Sequence, residues 1–337
     1  MKPRKPTLLD SIETSDQIVP PKTYAEYKRS FTPDLWQRVA QVYSYIDNRD
    51  GTNRYQRLLE CRTRAWFARH RESGKVVVFA NACKLRWCPL CQAVDRFYAK
   101  TSTLLWLRKQ ASPKFLTLTL RHSMAPLSHQ VDSLYYYFKQ LRKTKLWKDN
   151  VAGGIWFFQM TQNDVDGRWH PHLHIVMQSK YIPQADLSRL WLRITKGSPV
   201  VDIRCVHNPQ QAADYVSRYC TSPIKLTDLD FHACVDLVDE LHGRRLVGTF
   251  GTAHGLRLKA GKRDDADAWE NIGSWWTVTQ LVNTNRDAFD IWDAWQRGTS
   301  LPEGVSVAGI DQFLDGFDDV VDNAPDPPWH HPLLFRD

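Results

Sequence analysis

The 337 residues (39.2 kDa) suffice for one large or two modest domains, and a hydrophobic content of 42% supports a real core. Lysine and arginine number 45 against 37 acids, yet residues 301–337 hold eight acids and one base, so residues 1–300 carry a net +15 that suits a polyanion. No apolar run approaches about 18 residues, and Met1-Lys2-Pro3-Arg4-Lys5-Pro6 lacks a following apolar stretch, so the expectation is a cytoplasmic protein with no membrane partner.

In chain order, residues 1–50 read as an arm followed by one helix, Pro33 to Asn48, with Leu35, Val39, Val42, Tyr43 and Ile46 on one face. Residues 51–112 read as a small metal-binding element and a linking helix. The turn Glu72-Ser73-Gly74 precedes the strand-like Lys75-Val76-Val77-Val78-Phe79. Seven cysteines is an odd number, and four fall at Cys61, Cys83, Cys88 and Cys91, a grouping that suits a metal site better than a disulfide framework. The Cys-x-x-Cys turn aims two thiolates at one ion, and Cys83 and Cys61 complete a tetrahedral set for structural Zn²⁺, with His70 in reserve. The linking helix is expected over Arg96–Gln110, with Phe97, Thr101, Leu104, Leu105 and Arg108 on one stripe.

Residues 113–225 alternate strand, helix, strand, strand, helix, strand, helix over 114–121, 127–148, 154–163, 168–178, 184–195, 200–206 and 208–221. That βαββαβ order predicts an α+β fold, an antiparallel sheet of the split-βαβ type with helices on one face. In the fourth segment His170, His172 and His174 alternate, so all three imidazoles leave one side of a strand, as metal ligands would. Asn163-Asp164-Val165-Asp166-Gly167 has the content of a hairpin turn, which makes Gln159 a neighbour of the histidines. Tyr215 and Tyr219 are four apart, one turn from each other on a helix face.

The strand Phe115–Leu120, the run His172-Leu173-His174 and the segment Tyr215-Val216-Ser217-Arg218-Tyr219 together resemble the HUH endonucleases. Within them the nearest resemblance is to rolling-circle replication initiators of small plasmids and to two-tyrosine transposases. The Cys88-Pro89-Leu90-Cys91 turn is similar to the zinc knuckle that precedes their catalytic domain. The resemblance implies the same βαββαβ fold and Mg²⁺ or Mn²⁺ held by His172 and His174. The third ligand is open between Gln159 and His170, because the family usually has a glutamate where this chain has Gln159. It also implies a tyrosine that attacks a DNA phosphodiester, with Tyr219 as first nucleophile and Tyr215 where the one-tyrosine initiators carry a glutamate. Arg218 and Lys225 are candidates for holding phosphates. Trp147, Trp156, Trp169 and Trp191 are core residues or stacking platforms for unpaired bases.

Residues 226–300 read as a helical appendage with a helix Phe231 to His242, a Gly-rich stretch at 248–252 and Trp-rich helices around Trp275 and Trp292. The run Arg257, Lys259, Lys262 and Arg263 is a candidate contact for duplex DNA at an origin. The tail 301–337 is expected to be partly disordered. Expected partners are single-stranded and origin DNA and host replication proteins. The alternatives carried forward are a two-tyrosine transposase and a zinc-stabilised DNA-binding protein without catalysis.

Overall fold

The computed structural model describes residues 23–121, 123, 125–163, 167–219, 222–259 and 266–310. The arm before Thr23, Lys262, Arg263 and the acidic tail from 311 lie outside the described residues. The elements run α1 (Tyr24–Arg29), α2 (Pro33–Asp50), α3 (Arg54–Leu59), β1 (Ala65–His70), β2 (Val76–Ala80), α4 (Pro89–Arg108), β3 (Pro113–Thr119), α5 (Leu127–Lys143), α6 (Lys145–Asn150), β4 (Val151–Gln162) and β5 (Trp169–Ser179). They continue α7 (Gln184–Thr195), β6 (Val201–Cys205), α8 (Pro209–Ser217), α9 (Phe231–Glu240), β7 (Val247–Gly251), β8 (Trp269–Ser274), α10 (Trp275–Leu281) and α11 (Arg286–Arg297). The chain divides into two compact units, one before Asp95 and after Lys259, the other Asp95–Lys259.

The first unit is built on a three-stranded antiparallel sheet, β2-β1-β8. Alternation in β1 and β2 sends Phe67, Val76, Val78 and Ala80 to one face, where Trp275, Ile291 and Trp292 of α10 and α11 cover them. Phe67 stacks on Trp275 with ring centroids 5.5 Å apart. In α2 the expected stripe holds: Val39, Val42, Tyr43 and Ile46 are buried.

The second unit is a five-stranded antiparallel sheet ordered β6-β3-β5-β4-β7. The strand β5 lies between β3 and β4, the two strands that α5 and α6 connect, as a split βαβ unit requires. The turn between β4 and β5 closes with Gly167 N–H on the Asn163 carbonyl (2.9 Å) and Gly167 at φ +66°, a conformation that favours glycine. Residues 164–166 of that turn lie outside the described residues.

The expectation of helices on one face is corrected. On one side α5 and α7 pack, with Tyr135 against Phe158 and the Trp191 indole N–H on the Thr119 carbonyl (2.9 Å). On the other, Ala213 and Val216 of α8 and Ala99, Trp106 and Leu107 of α4 join Ile155, Phe157 and Val176. The physical cause is the unbroken apolar run Ile175, Val176, Met177, which needs cover on both sides. The stripe expected on α4 shifts accordingly, to Ala99, Thr103, Trp106 and Leu107, leaving Leu105 exposed. The stretch expected to be a helical appendage supplies a strand to each sheet. In β7, Gly248 is required because a Cβ there would stand 2.6 Å from the Trp156 ring.

Candidate functional site

The histidines leave β5 toward α8. Register puts Thr117 and Thr119 of β3 opposite His174 and His172, and Gln159 of β4 opposite His172 on the other flank. The Thr117 hydroxyl meets His174 Nδ1 at 3.1 Å, and the Thr119 hydroxyl meets His172 Nδ1 at 3.0 Å. A threonine hydroxyl both donates and accepts, so each ring keeps its orientation in either tautomer, with Nε2 left to other partners. His174 Nε2 is hydrogen-bonded to Gln159 Oε1. His170 is turned aside, its Nε2 donating to the Leu120 carbonyl (2.9 Å), although its ring lies 4.3 Å from that of His172. Burial pushes His174 down to about 4, so near neutral pH it is the uncharged, ligating form.

Asn208 caps α8 by accepting from the Gln211 N–H (3.1 Å), and Pro209 starts the helix. The helix ends at Ser217, four residues before the expected end. The Tyr219 N–H reaches only three residues back, to the Val216 carbonyl (3.0 Å), so Tyr219 sits on the turn that follows. Both phenols still face the histidines. The His174 ring lies 5.3 Å from that of Tyr215 and 5.4 Å from that of Tyr219, and the two tyrosine rings are 5.4 Å apart. Tyr215 is also edge-on to Phe115 (5.6 Å) and remains exposed. Burial, helped by the Tyr215 hydroxyl, pushes Tyr219 up to about 12 against the pull of Arg218.

Two residues that sequence reading passed over anchor this helix. Lys100 of α4 pairs with Asp214 of α8 at 2.5 Å, and Gln210 donates to the same carboxylate (3.1 Å). Burial works against the charge on Asp214, but these bonds hold its carboxyl below the usual range. No local signal links Lys100 to Asp214, whereas Thr117 and Thr119 repeat the alternation of the histidine strand and were legible in principle.

Of the basic residues singled out from sequence, Arg218 is exposed between the two tyrosines. Lys225 is exposed two residues after Pro223, whose carbonyl accepts from the Met160 N–H (3.1 Å) at the end of β4. Arg257 lies over the Tyr98 ring (5.5 Å) on α4, and Lys259 is exposed nearby in sequence. Trp147 and Trp191 are core residues, while Trp156 and Trp169 are half-buried.

In the first unit the four cysteines converge. Cys61 follows α3, Cys83 follows β2, and Cys88 and Cys91 straddle the start of α4. Their sulfurs all lie within 4.8 Å of one another. The contacts Cys61–Cys91, Cys83–Cys91 and Cys61–Cys88 are each 3.7 Å. A tetrahedron with metal–sulfur bonds of about 2.3 Å has edges of roughly 3.8 Å, so the geometry fits an ion bound by four thiolates. Arg62 and Lys84, each the residue after a cysteine, take positive φ (67° and 57°), which folds the backbone back around the sulfurs. Hydrogen bonds from the neighbouring thiols draw Cys61 down, and burial pushes Cys88 up. His70, the reserve ligand, instead accepts from the Ser73 N–H (3.3 Å) through Nδ1 and lies edge-on to Trp269. Among the described residues no helix is long and apolar enough to cross a membrane.

Comparison with known proteins gives a family match: a model described as Replication protein covers residues 74–299, more than half of the chain. Among curated proteins, a Protein rep of Bacillus amyloliquefaciens is 28% identical over 257 residues, 63% of this chain and 76% of the relative. A Protein rep of a Bacillus species is 26% identical over 278 residues, 68% and 90% of the two chains. A third, from Streptococcus pneumoniae serotype 2 (strain D39), is 27% identical over 213 residues, 56% and 67%. No solved structure matches.

Proposed function

Because the chain belongs to the replication-protein family, we propose that it initiates rolling-circle replication of a small plasmid by nicking and rejoining single-stranded origin DNA. The observation that carries this reading is the pair of phenols, Tyr215 and Tyr219, against the His174 ring at 5.3 and 5.4 Å. The donor set suits a divalent ion: Nε2 of His172 and His174 with Gln159 Oε1, all on one side of adjacent strands. Gln159 brings no charge to the set, and His170 is the alternative third ligand. Mg²⁺ or Mn²⁺ bound there would polarise a phosphoryl group and stabilise the charge that develops on it.

The protein's own groups do the rest. Thr117 and Thr119 orient the imidazoles. The oxygen of Tyr219 attacks phosphorus, the bond to the 3′ oxygen breaks, and that oxygen takes up a proton to leave a free 3′-hydroxyl for host replication proteins to extend. The 5′-phosphate stays on the tyrosine, and attack by a 3′-hydroxyl reverses the linkage. A phenol held near 12 is almost wholly protonated at neutral pH, so its proton must depart as attack proceeds, and Arg218 favours the anion. Tyr215, in place of a water-activating carboxylate, supports a second strand transfer over hydrolysis. Structural Zn²⁺ is assigned to Cys61, Cys83, Cys88 and Cys91. Lys225, Arg257, Lys259, Lys262 and Arg263 are assigned to DNA phosphates.

The test is incubation with labelled single-stranded oligonucleotide from the protein's own replicon plus Mn²⁺. A protein–DNA adduct that survives denaturant and is lost in Tyr219→Phe is expected. An adduct formed equally well by Tyr219→Phe overturns the nucleophile assignment and directs attention to Tyr215→Phe. No adduct from the wild type under any divalent ion leaves the non-catalytic alternative.

A further inference from the structure

We infer that the corner where α5 passes into α6 is a contact surface for duplex DNA, on the side of the sheet turned away from the histidines. Residues 139–148 carry Lys139, Arg142, Lys143, Lys145 and Lys148 and no acid; Asp149 is the first carboxylate to follow. All five cations are exposed. The reason is the packing of both helices. The apolar stripe Val131, Leu134, Phe138 and Leu141 of α5 is buried, as is Trp147 of α6, which lies 5.8 Å from both Phe138 and Phe250. Everything else on this corner must point outward. The Lys180 N–H bonds to the Asn150 carbonyl (2.9 Å), which brings a sixth cation to the end of α6 and leaves Tyr181 81% exposed beside it. Tyr136, 58% exposed, lies one turn before Lys139 and two turns before Lys143 on α5.

Elsewhere five arginines are locally neutralised: Arg189 by Asp186, Arg204 by Asp202, Arg244 by Asp132, Arg286 by Asp290 and Arg297 by Asp293. Among the described residues, Lys139, Lys143, Lys145, Lys148 and Lys180 enter no ion pair. The helix dipole accounts for basic residues in the last turn of α5, Arg142 and Lys143. It accounts likewise for Lys148 in the last turn of α6, but not for Lys139, Lys145 or Lys180. Unbalanced like charges repel one another, a cost that a polyanion removes and converts into affinity by counterion release.

The chemistry selects duplex backbone. Lysines are point charges that hold phosphates without reading bases. The cations stand on the exposed faces of two successive helices, and the exposed rings of Tyr136 and Tyr181 come before and after the 139–148 run rather than interleaved with it, as a stacking platform for a single strand would need. Tyr136 and Tyr181 present hydroxyls at the rim, which suit phosphate oxygens. Arg142 is pinned over the Phe250 ring at 4.7 Å and fixes the corner to the sheet. The inference rests on the functional reading only in taking DNA as the partner.

The experiment is anisotropy of a labelled duplex without origin sequence, titrated with salt, for the full-length protein and the triple variant Lys143→Gln, Lys145→Gln, Lys148→Gln. The slope of log affinity against log salt should become shallower by about 2 to 3, from roughly 0.9 per phosphate contact. The corresponding triple arginine variant should keep the wild-type slope. Adduct formation on a short single strand should be the same in all three proteins, which also reports that they fold. An unchanged slope in the glutamine variant overturns the inference, as does an equal loss on single-stranded oligonucleotide. A wild type that forms no adduct counts against the functional reading instead, since duplex binding is scored separately.

Discussion

Acidification should weaken the native fold through His174, in a window that the imidazole's burial defines. The ring is 5% exposed, and burial lowers it from 6.5 to about 4. Between those values the unfolded chain binds a proton that the folded chain refuses, so stability rises with pH there. The contribution is fully present above 6.5 and is lost as the pH falls toward 4. Integrating from pH 7.5 to 5.0 gives about 2 kcal/mol, out of roughly 3 kcal/mol for the full shift. The assay is urea denaturation at both pH values, without added Mg²⁺ or Mn²⁺, for wild type and His174→Gln. Whatever the glutamine costs outright, the gap between the two proteins should narrow by about 2 kcal/mol on acidification, because only the wild type carries the refused proton. A gap that stays constant between pH 7.5 and 5.0 refutes the claim that His174 is held neutral by burial.

Replacing the hydroxyls that orient the imidazoles should weaken ion binding without removing a ligand. Thr119→Val and Thr117→Val are each expected to lower Mn²⁺ affinity about 10- to 100-fold, read from the electron paramagnetic resonance of free Mn²⁺. Affinity equal to wild type would mean the threonines only fill space. In the first unit, purified protein should contain one zinc per chain by elemental analysis, and Cys88→Ser should lose it together with the cooperative thermal transition. Zinc retained at full occupancy in Cys88→Ser would show that three cysteines and some other group suffice.

Local signals carried much of this protein. The alternation of His170, His172 and His174, the Asn163–Gly167 turn and the helical stripes of α2 and α5 specify strand, hairpin and helix through periods of 2 and 3.6, which depend on near neighbours alone. The cysteine spacing likewise announced a group of thiols that could hold an ion, because a Cys-x-x-Cys turn is a local geometry. What the sequence did not disclose required distant segments to meet. Pairing of β7 with β4 unites residues nearly a hundred positions apart, and β8 with β1 about two hundred, through ladders whose partners no periodicity names.

The same divide runs through the candidate site. Which residues gather was legible from type and spacing, but how they are held was not. The threonine partners of His172 and His174 follow from register, and the Lys100–Asp214 pair from helix packing. The turning aside of His170 toward Leu120 depends on a carbonyl contributed by another strand's end. The early end of α8 leaves Tyr219 on a turn, yet its ring reaches His174 because α8 packs across the sheet face that the histidines occupy. Residue type and periodicity set the chemistry available to this chain; strand register and helix docking alone decided which atoms face one another, because those distances are fixed by contacts between residues far apart in the sequence.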